Sequence, residues 1–370
     1  MAKSLCISGD SHVVEPPDLF APLARRFGER APKVVETEDR GPVLDLGNGK
    51  FGLGISGFFM AGVDFTKADT RELAKKGYDL ARPGVYDVNA RVVDQKLDGI
   101  DAEVLYPSVI FNVYQIDDNE IVKATFETYN DWVADYCSGA PDHLFSLASV
   151  QLRDLDAAIK EMERAKKRGH VGLCIPASAP PEHPYSDPWY DPFWAAAQDL
   201  KMPLTMHIFT GATPNHGVNH PQAGYALAFT GIMFTCADLI TGGVCERFPE
   251  IKLVPTEFET GWVGIFLKRL DMAYWRRGGP RAPGAQPLAP SEYWKRNFLV
   301  TFEDDEIGVM TRYISGTNTL MWGSDYPHGD SVFPESQPVL DRIMQDCTPE
   351  ERYEMTVKNV VQLYDLPFEV

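Results

Sequence analysis

Short apolar runs rich in β-branched residues alternate along the chain with stretches whose apolar positions recur at the helical period. This alternation predicts βα units, whose successive strands lie parallel in one sheet. The predicted strands cover residues 5–10, 102–108, 144–152, 171–176, 203–208, 252–257, 297–303 and 319–325. The predicted helices cover residues 119–138, 154–168, 188–200, 261–274, 306–315 and 349–364. Eight strands with intervening helices are typical of a (β/α)8 TIM barrel, so we expect an α/β protein with one domain over residues 1–370.

One long segment interrupts the alternation after the first strand. Residues 15–83 are rich in Gly and Pro and contain an apolar run at 51–65. Long loops of a barrel stand over the active-site mouth, so the segment is predicted to be a lid. Its large apolar side chains either favour a bulky apolar substrate or anchor the lid to the barrel. These side chains are Phe51, Phe58, Phe59 and Met60.

The composition is that of a folded, acidic protein. Of 370 residues, 44% are hydrophobic and 24% are charged, which provides enough apolar material for a large core. The formal net charge of −18 argues against nucleic acid or an anionic membrane as the main partner, because a polyanion would be repelled over most of the surface. A small-molecule substrate is the expected partner, and a homo-oligomer is left open.

Three further features bear on location. The 6 cysteines are scattered without the spacing of a zinc site or of a disulfide framework. The N-terminal residues run directly into the first strand and lack an apolar signal core. The longest apolar stretch, residues 223–240, falls short of the roughly 20 apolar residues that a membrane-spanning helix needs. We therefore expect a cytoplasmic protein with reduced thiols.

Metal-ligand side chains recur where the predicted strands end. Asp10 and His12 are two residues apart on the first strand and therefore share a face. His207 ends the fifth strand. Carboxylates end the sixth, seventh and eighth strands, at Glu257, Glu303 and Asp325. Because barrels hold their chemistry at the carboxyl ends of the strands, this pattern predicts a metal-dependent enzyme.

The combination of the N-terminal Asp10-Ser11-His12, the strand-five His207, the segment SDYPH at 324–328 and the closing KNVVQLY at 358–364 resembles a known family. It is similar to the metal-dependent hydrolases and decarboxylases of the amidohydrolase superfamily, in the branch of aminocarboxymuconate semialdehyde decarboxylase and the resorcylate decarboxylases. The resemblance implies a TIM barrel with metal at the carboxyl ends of its strands.

The sequence departs from that branch in its carboxylates. Many of those relatives carry a histidine after strand six, where this chain has Glu257, and Glu303 is an additional acid. Together with Asp10 and Asp325 these residues place four negative charges at one mouth, and unpaired buried carboxylates are costly. One divalent ion would leave about two of those charges, whereas two ions would neutralise them. A dinuclear site is therefore expected.

The carboxylate-rich pattern also resembles a smaller group of TIM-barrel non-haem diiron monooxygenases thought to act largely on coenzyme-A-linked substrates. That resemblance implies two iron ions as cofactors and dioxygen as co-substrate. The implied iron ligands are Asp10, His12, His207, Glu257, Glu303, Asp325 and His328. Asp325, His328 and Glu257 would act on the substrate, although His328 is equally compatible with a supporting hydrogen bond to a ligand.

A basic segment at residues 268–296 runs against the acidic trend. Four of its arginines are candidates for holding the phosphates of coenzyme A, or else they form a solvated face or an interface. These arginines are Arg276, Arg277, Arg281 and Arg296.

Two functions are weighed from these features. The first is a diiron monooxygenase that hydroxylates a bulky apolar, coenzyme-A-linked substrate with dioxygen and an unidentified electron donor. The alternative is a hydrolase or decarboxylase with one zinc or manganese ion, in which Asp325 is the base. A barrel that only binds a ligand fits poorly, because it has no reason to keep metal ligands on five strands.

Several neighbouring residues have simpler explanations. Asp304 and Asp305 stand where a helix begins and are expected to cap it, although either could replace Glu303 as the strand-seven ligand. His216 and His220 follow strand five and either contact substrate or are exposed.

Overall fold

The structure is a computed structural model that describes residues 5–47, 49–211 and 220–370. Its strands in these ranges are β1 Ile7–His12, β2 Lys33–Thr37, β3 Gly41–Asp45, β4 Phe51–Gly54, β5 Ala102–Tyr106, β6 Leu144–Ser149, β7 Gly172–Ile175, β8 Leu204–His207, β9 Leu253–Thr256, β10 Val300–Phe302 and β11 Leu320–Trp322. The helices of the first half are α1 Ala21–Phe27, α2 Thr70–Ala74, α3 Val88–Asp98, α4 Asn119–Cys137, α5 Leu155–Lys167 and α6 Asp191–Asp199. Those of the second half are α7 Pro221–Ala226, α8 Thr230–Thr241, α9 Val244–Arg247, α10 Val263–Arg276, α11 Pro290–Asn297, α12 Glu306–Met310, α13 Arg312–Ser315, α14 Ser336–Ile343, α15 Pro349–Tyr353 and α16 Asn359–Tyr364.

Eight parallel strands curl into the barrel, and all eight are the predicted ones. Six form a continuous sheet in the order β1-β5-β6-β7-β8-β9, and β10 pairs with β11. A single parallel bridge between Leu253 and Phe298 joins β9 to the β10 side. In the described residues no ladder joins β11 to β1, and that seam is crossed by the backbone hydrogen bonds Asp325 N to Asp10 O (2.9 Å) and His12 N to Tyr326 O (2.7 Å).

The helices cover the barrel with one apolar face each. In α5 the buried side chains Leu155, Ala158, Met162 and Ala165 recur at the helical period. The Asp154 side chain accepts a hydrogen bond from the backbone of Ala157 and so caps the first turn. The eight barrel strands are buried on both faces, which is why most of them are apolar runs rather than alternating ones.

The segment after β1 folds more regularly than predicted. It contains a three-stranded antiparallel sheet of β2, β3 and β4. Backbone hydrogen bonds from Ala61 to Pro327 (3.1 Å) and from Gly329 to Gly57 (2.9 Å) fasten it to the chain that leaves β11. The segment therefore lies at the carboxyl end of the barrel.

Both explanations for the large side chains of this segment hold for different residues. Phe58 and Met60 line a cavity at the barrel mouth. Phe59 is buried inside the segment, with its ring 5.3 Å from that of Tyr78. Phe51 is exposed and faces the guanidinium of Arg40.

The chain from Pro221 to Thr241 is long and apolar enough to cross a membrane by length and composition, with 33% of its most apolar stretch buried. The expectation that it falls short of a spanning length is therefore wrong. In this fold it forms α7 and α8, and α8 packs Ile232, Cys236 and Leu239 into the barrel core.

A buried ion pair supports β1 and the mouth from outside the barrel. Arg91 of α3 is fully buried, and its Nε donates to Glu103 Oε2 at 2.8 Å. Its Nη1 donates to the backbone oxygen of His12 at 2.7 Å, and its Nη2 donates to that of Tyr326 at 3.3 Å. Arg91 thus ties β1 to the segment that follows β11.

We expect Arg91→Met to lower the free energy of unfolding by about 3 to 5 kcal/mol, because the Glu103 carboxylate is left buried without its partner. Urea denaturation measures the change. Arg26→Met is the control, since the Arg26 to Glu120 pair is exposed and worth about 1 kcal/mol at most. Equal effects of the two substitutions would contradict a structural role for Arg91.

Candidate metal centre

Five of the predicted ligands converge at the carboxyl end of the barrel. Asp10 and His12 lie on β1, and His207 ends β8. Glu257 directly follows β9, and Asp325 lies shortly after the end of β11. Glu257 and Asp325 have φ angles of 60° and 54°, in the left-handed region that non-glycine residues seldom adopt. Such backbone strain is concentrated at functional sites, and two of the six non-glycine residues with positive φ among the described residues belong to the converging group.

The donor atoms of these side chains surround one point. His12 Nε2 is 3.2 Å from His207 Nε2, 3.3 Å from Asp325 Oδ1 and 3.5 Å from Glu257 Oε2. His12 Nε2 is also 3.6 Å from Asp10 Oδ1, and His207 Nε2 is 3.0 Å from Glu257 Oε2. Ligands about 2.1 Å from a common ion would be separated by about 3 to 3.5 Å, so these distances match a shared cation.

The backbone fixes the ring nitrogen that each histidine presents. His12 Nδ1 lies 2.8 Å from the carbonyl of Pro107, and His207 Nδ1 lies 3.0 Å from the carbonyl of Ile208. A carbonyl only accepts, so each Nδ1 carries a proton and each ring turns its Nε2 toward the other. Burial opposes protonation of His207, but Glu257 raises the pKa of His207, so a proton on His207 Nε2 can lie between the two nitrogens at 3.2 Å. A divalent ion bound by both Nε2 atoms would replace that proton.

Carboxylate oxygens at the same point lack ordinary hydrogen-bond donors. Asp10 Oδ1 and Asp325 Oδ2 are buried and accept no hydrogen bond from the described residues. Glu257 Oε2 and Asp325 Oδ1 are approached only by histidine nitrogens, with nearest distances of 3.0 Å and 2.9 Å. Buried polar atoms are almost always satisfied, so such a group of oxygens fits a positive charge. Two sets of donors lie close enough to share a divalent ion: Asp10, His12, His207 and Glu257 in one, and His12, Glu257, Asp325 and His328 in the other.

The charges of the group are distributed unevenly. Burial raises the pKa of Asp10 to about 7. His207 lowers that pKa, and the negative charge of Glu257 raises it further. Burial lowers the pKa of His12 to about 4. Burial opposes ionisation of Glu257, but His207 and His12 hold the pKa of Glu257 well below its usual range. Glu257 is therefore the anion of the group before any metal binds.

Asp325 connects the metal donors to a second pair of polar side chains. Its Oδ1 lies 2.9 Å from Nδ1 of His328, whose ring stacks on His12 with centroids 3.8 Å apart. His328 Nε2 lies 2.8 Å from the hydroxyl of Ser108, which donates to the backbone of Val13 at 2.7 Å. Both nitrogens of His328 are thus engaged, which favours a role beside Asp325 over metal ligation.

Glu303 lies apart from this group. It belongs to neither set of side chains close enough to share an ion. The residue of β10 that reaches the metal donors is Thr301, and Glu303 lies two residues farther on, about 7 Å along an extended chain. The dinuclear expectation counted Glu303 among the converging carboxylates. The structure leaves Glu303 outside both donor groups, and its role as a ligand stays a prediction.

The two aspartates after Glu303 have structural partners. Asp305 caps α12 by accepting from the backbone of Gly308, and it also accepts from Thr260 and Gly261. Asp304 pairs with Arg342. The capping expectation holds for Asp305, and neither aspartate takes the place of Glu303 as a ligand.

The arginines expected to bind coenzyme A do not reach the mouth. A helix that follows a barrel strand runs back toward the opposite face, so Arg276, Arg277 and Arg281 lie at the far end of α10. Arg296 contacts the carbonyl of Cys245 and the ring of Tyr293. None of the four lines a cavity beside the metal donors within the described residues.

Of the two histidines after β8, the structure describes one. His220 is exposed at the start of α7. His216 lies outside the described residues.

Sequence reasoning missed the threonine that positions two ligands. Thr301 donates to Asp10 Oδ2 at 3.0 Å and accepts from the backbone of Glu257 at 2.8 Å. Side chains alternate between the two faces of a strand, so Thr301 shares a face with Glu303. This alternation could have indicated that Thr301 reaches the site. The carbonyls of Pro107 and Ile208, which orient the histidines, leave no such signal because every residue has a carbonyl.

We expect Thr301→Val to weaken metal affinity by about 10- to 100-fold, the usual effect of losing a hydrogen bond that orients a ligand. Competition with a chromogenic chelator measures the dissociation constant. Thr205→Val is the matched control, because the buried hydroxyl of Thr205 contacts only Leu173 and Cys174. Unchanged affinity in Thr301→Val would contradict the positioning role.

A cavity of about 250 Å³ opens beside the metal donors. Its walls are apolar and aromatic, and its floor is polar with His207, Glu257, Asp325 and His328. The apolar lining includes Leu53, Phe58, Met60, Phe65, Phe111, Ile208 and Phe209. A cavity of about 150 Å³ holds a benzene ring, so this space suits one substituted ring.

Comparison with known proteins identifies relatives of both the sequence and the fold. The Amidohydrolase family, Amidohydro_2, matches residues 92–366. The gamma-resorcylate decarboxylase of Rhizobium radiobacter is 26% identical over 212 residues, which cover 54% of this chain and 64% of that protein. The chain therefore matches less than two thirds of that relative's length.

Solved structures show the same fold at low sequence identity. An amidohydrolase from Mycobacterium avium subsp. paratuberculosis K-10 superposes with a TM-score of 0.77 at 20% identity, covering 98% of this chain and 100% of the other. A dihydroxybenzoic acid decarboxylase from Polaromonas sp. JS666, with bound manganese and the inhibitor 2-nitroresorcinol, superposes with a TM-score of 0.68 at 16% identity, covering 99% and 98%.

These relatives correct the functional expectation. They are decarboxylases and amidohydrolases, so the diiron monooxygenase and its oxidoreductase chemistry are wrong, and the alternative of a hydrolase or decarboxylase is favoured. Two iron ions, dioxygen and a coenzyme A thioester find no support among them. The physical error was to count four ionised carboxylates, whereas burial favours the protonated form of Asp10 and Glu303 belongs to neither group of donors close enough to share an ion.

Proposed function

Since the chain belongs to the Amidohydrolase family, we propose that it is a decarboxylase of a small aromatic carboxylic acid, dependent on one divalent manganese or zinc ion. The observation that carries the proposal is the convergence of two histidine Nε2 atoms and the buried carboxylate oxygens of Asp10, Glu257 and Asp325 beside a cavity of one-ring size. Relatives named as resorcylate and carboxyvanillate decarboxylases supply the reaction class. A cytoplasmic location is part of the proposal and rests on the packing of α8 into the barrel.

Asp10, His12, His207 and Glu257 would hold the ion, which when bound withdraws electron density from the oxygen atoms it contacts. The aromatic walls, chiefly Phe58, Phe111 and Phe209, would hold the ring of the substrate edge-on or face-on and exclude water from it. The carboxylate of the substrate would lie at the polar floor of the cavity, beside the side chains that would hold the ion.

Asp325 is the proposed proton donor. In decarboxylation the bond between the ring carbon and the carboxyl group breaks, carbon dioxide leaves, and the ring carbon takes up a proton. Asp325 lines the cavity, and burial raises the pKa of Asp325 well above its usual range, so it carries a proton to deliver. Because the Ser108 hydroxyl donates to Val13, Nε2 of neutral His328 donates to Ser108, and its Nδ1 faces the Asp325 carboxyl at 2.9 Å as an acceptor. Ser108 holds the far nitrogen of His328 and so keeps the ring aligned with Asp325.

The test is carbon dioxide release from a panel of hydroxybenzoates that includes 2,6-dihydroxybenzoate and 5-carboxyvanillate. We expect release under nitrogen by protein loaded with about one manganese or zinc ion per chain. Turnover that consumes dioxygen, or no release from any member of the panel by metal-loaded protein, would overturn the proposal.

A further inference from the structure

A second cleft adjoins the metal cavity and is not used by the proposed reaction. It has a volume of about 470 Å³ and shares Ile208, Phe209, Glu257 and Asp330 with the cavity of the metal donors. The shared residues make the two spaces continuous, so one ligand could occupy both.

Negative side chains line this cleft without any basic counterpart. The carboxylates are those of Glu257, Glu259, Glu303, Asp304, Asp305 and Asp330. No lysine, arginine or histidine is among the described residues that line it. Such a concentration of one charge attracts a cation, but an acidic cluster alone does not define a site.

Most of these carboxylates already have partners. Asp305 accepts four hydrogen bonds. One comes from the backbone of Gly308 in α12, and three come from Thr260 and Gly261 in the turn before α10. Asp304 pairs with Arg342, and Asp330 contacts the hydroxyl of Tyr225. Glu259 accepts from the backbone of Glu303 at 3.3 Å.

Glu303 is the exception, and it supplies the second observation. Its side chain lines the cleft, its residue is only 8% exposed, and its carboxylate makes no hydrogen bond or ion pair with any described residue. Burial, with Glu257 next, raises the pKa of Glu303 well above its usual range. A buried carboxyl group in this position takes either a proton or a cation.

The walls around Glu303 select the kind of cation. Phe209, Phe229, Phe258 and Trp262 surround the cleft with aromatic surface, and Tyr225 closes another side. Aromatic faces attract organic ammonium groups, whereas a divalent metal ion requires several oxygen ligands. Apart from Glu257, which belongs to the metal donors, Glu303 is the one carboxylate of the described lining without a partner.

We propose that this cleft is a subsite for a cationic group, an organic ammonium carried by the substrate, with Glu303 as its counter-ion. The proposal rests on the proposed function for the placement of the rest of the substrate, whose carboxylate would lie in the metal cavity. Glu303 thereby determines specificity, while the metal donors and Asp325 perform the reaction.

The test compares two probes that differ only in charge. Calorimetric titration of manganese-loaded protein with 3-(aminomethyl)benzoate and 3-(hydroxymethyl)benzoate measures the preference for the ammonium group. We expect the ammonium probe to bind about tenfold tighter or better, the usual worth of a charged hydrogen bond. Glu303→Gln removes the preference, Glu303→Asp keeps most of it, and Glu306→Gln, the same change on the exposed face of α12, leaves it unaltered.

Equal binding of the two probes by the unsubstituted protein would overturn the subsite, as would an undiminished preference in Glu303→Gln. A second manganese ion per chain that is lost in Glu303→Gln would also overturn it, because Glu303 would then be a metal ligand. Carbon dioxide release from the hydroxybenzoate panel is scored separately. If no hydroxybenzoate is decarboxylated but the ammonium probe still binds more tightly, the proposed function fails and the subsite is supported. If carbon dioxide is released but the two probes bind equally, the subsite fails and the proposed function is supported.

Discussion

Replacing Asp325 by Asn is expected to lower kcat by about 10³-fold while the protein retains its metal ion. General acid catalysis contributes about 10²- to 10⁴-fold, and Asn cannot deliver a proton to the ring carbon. The metal should stay because Asp10, His12, His207 and Glu257 form a donor group without Asp325. Initial rates of carbon dioxide release and metal analysis of the same sample make the measurement.

The control is Asp304→Asn, which removes an exposed carboxylate of the neighbouring cleft that pairs with Arg342. Its decarboxylation rate should stay within about twofold, the scale of a surface substitution. If Asp325→Asn loses its metal together with its activity, Asp325 is a ligand first and the proton donor must be sought elsewhere. If it keeps both, the assigned role is wrong.

Replacing His12 by Ala is expected to abolish stable metal binding. Its Nε2 is the atom nearest to all the other donors, within 3.2 to 3.6 Å of four of them. We expect a larger loss of affinity than the about 10- to 100-fold that follows from removing an orienting hydrogen bond. Metal content after dialysis should fall from about one ion per chain to near zero.

Thermal unfolding provides a second measure of the same change. An ion at a thousand times its dissociation constant stabilises the folded state by about 4 kcal/mol, and His12→Ala should lose this metal-dependent gain. His183→Ala is the control, since His183 is exposed and pairs with Asp187 far from the site. A metal-dependent gain that survives in His12→Ala would show that the ion binds somewhere else.

The fold was predictable because its evidence is local. Most barrel strands are buried apolar runs, and the helices between them carry their own period and in some cases a cap, as Asp154 provides for α5. The sheet of β2, β3 and β4 escaped prediction for the same reason. Its strands are short and partly exposed, and Gly41, Pro42, Gly52 and Gly54 give the sequence the composition of a loop.

The set of metal ligands was only partly predictable from the sequence. The end of a predicted strand indicates only roughly how far along the barrel axis a side chain lies. Asp10, His12 and His207 lie within their strands, so their level is fixed by pairing, and they converge as expected. Glu303 lies past the end of β10, where Thr301 already occupies the ligand level. A sequence gives the order of residues along each strand but not the stagger between strands, and stagger decides which of two alternate residues reaches the centre.

The seam between β11 and β1 connects the metal site to the closure of the barrel. Asp10 and His12 stand on one side of this gap in the described sheet and Asp325 on the other, with Asp325 Oδ1 3.3 Å from His12 Nε2. A divalent ion held by Asp10 and His12 would attract the Asp325 carboxylate across the gap. Metal binding would therefore also stabilise closure of the barrel where few backbone hydrogen bonds join β11 to β1.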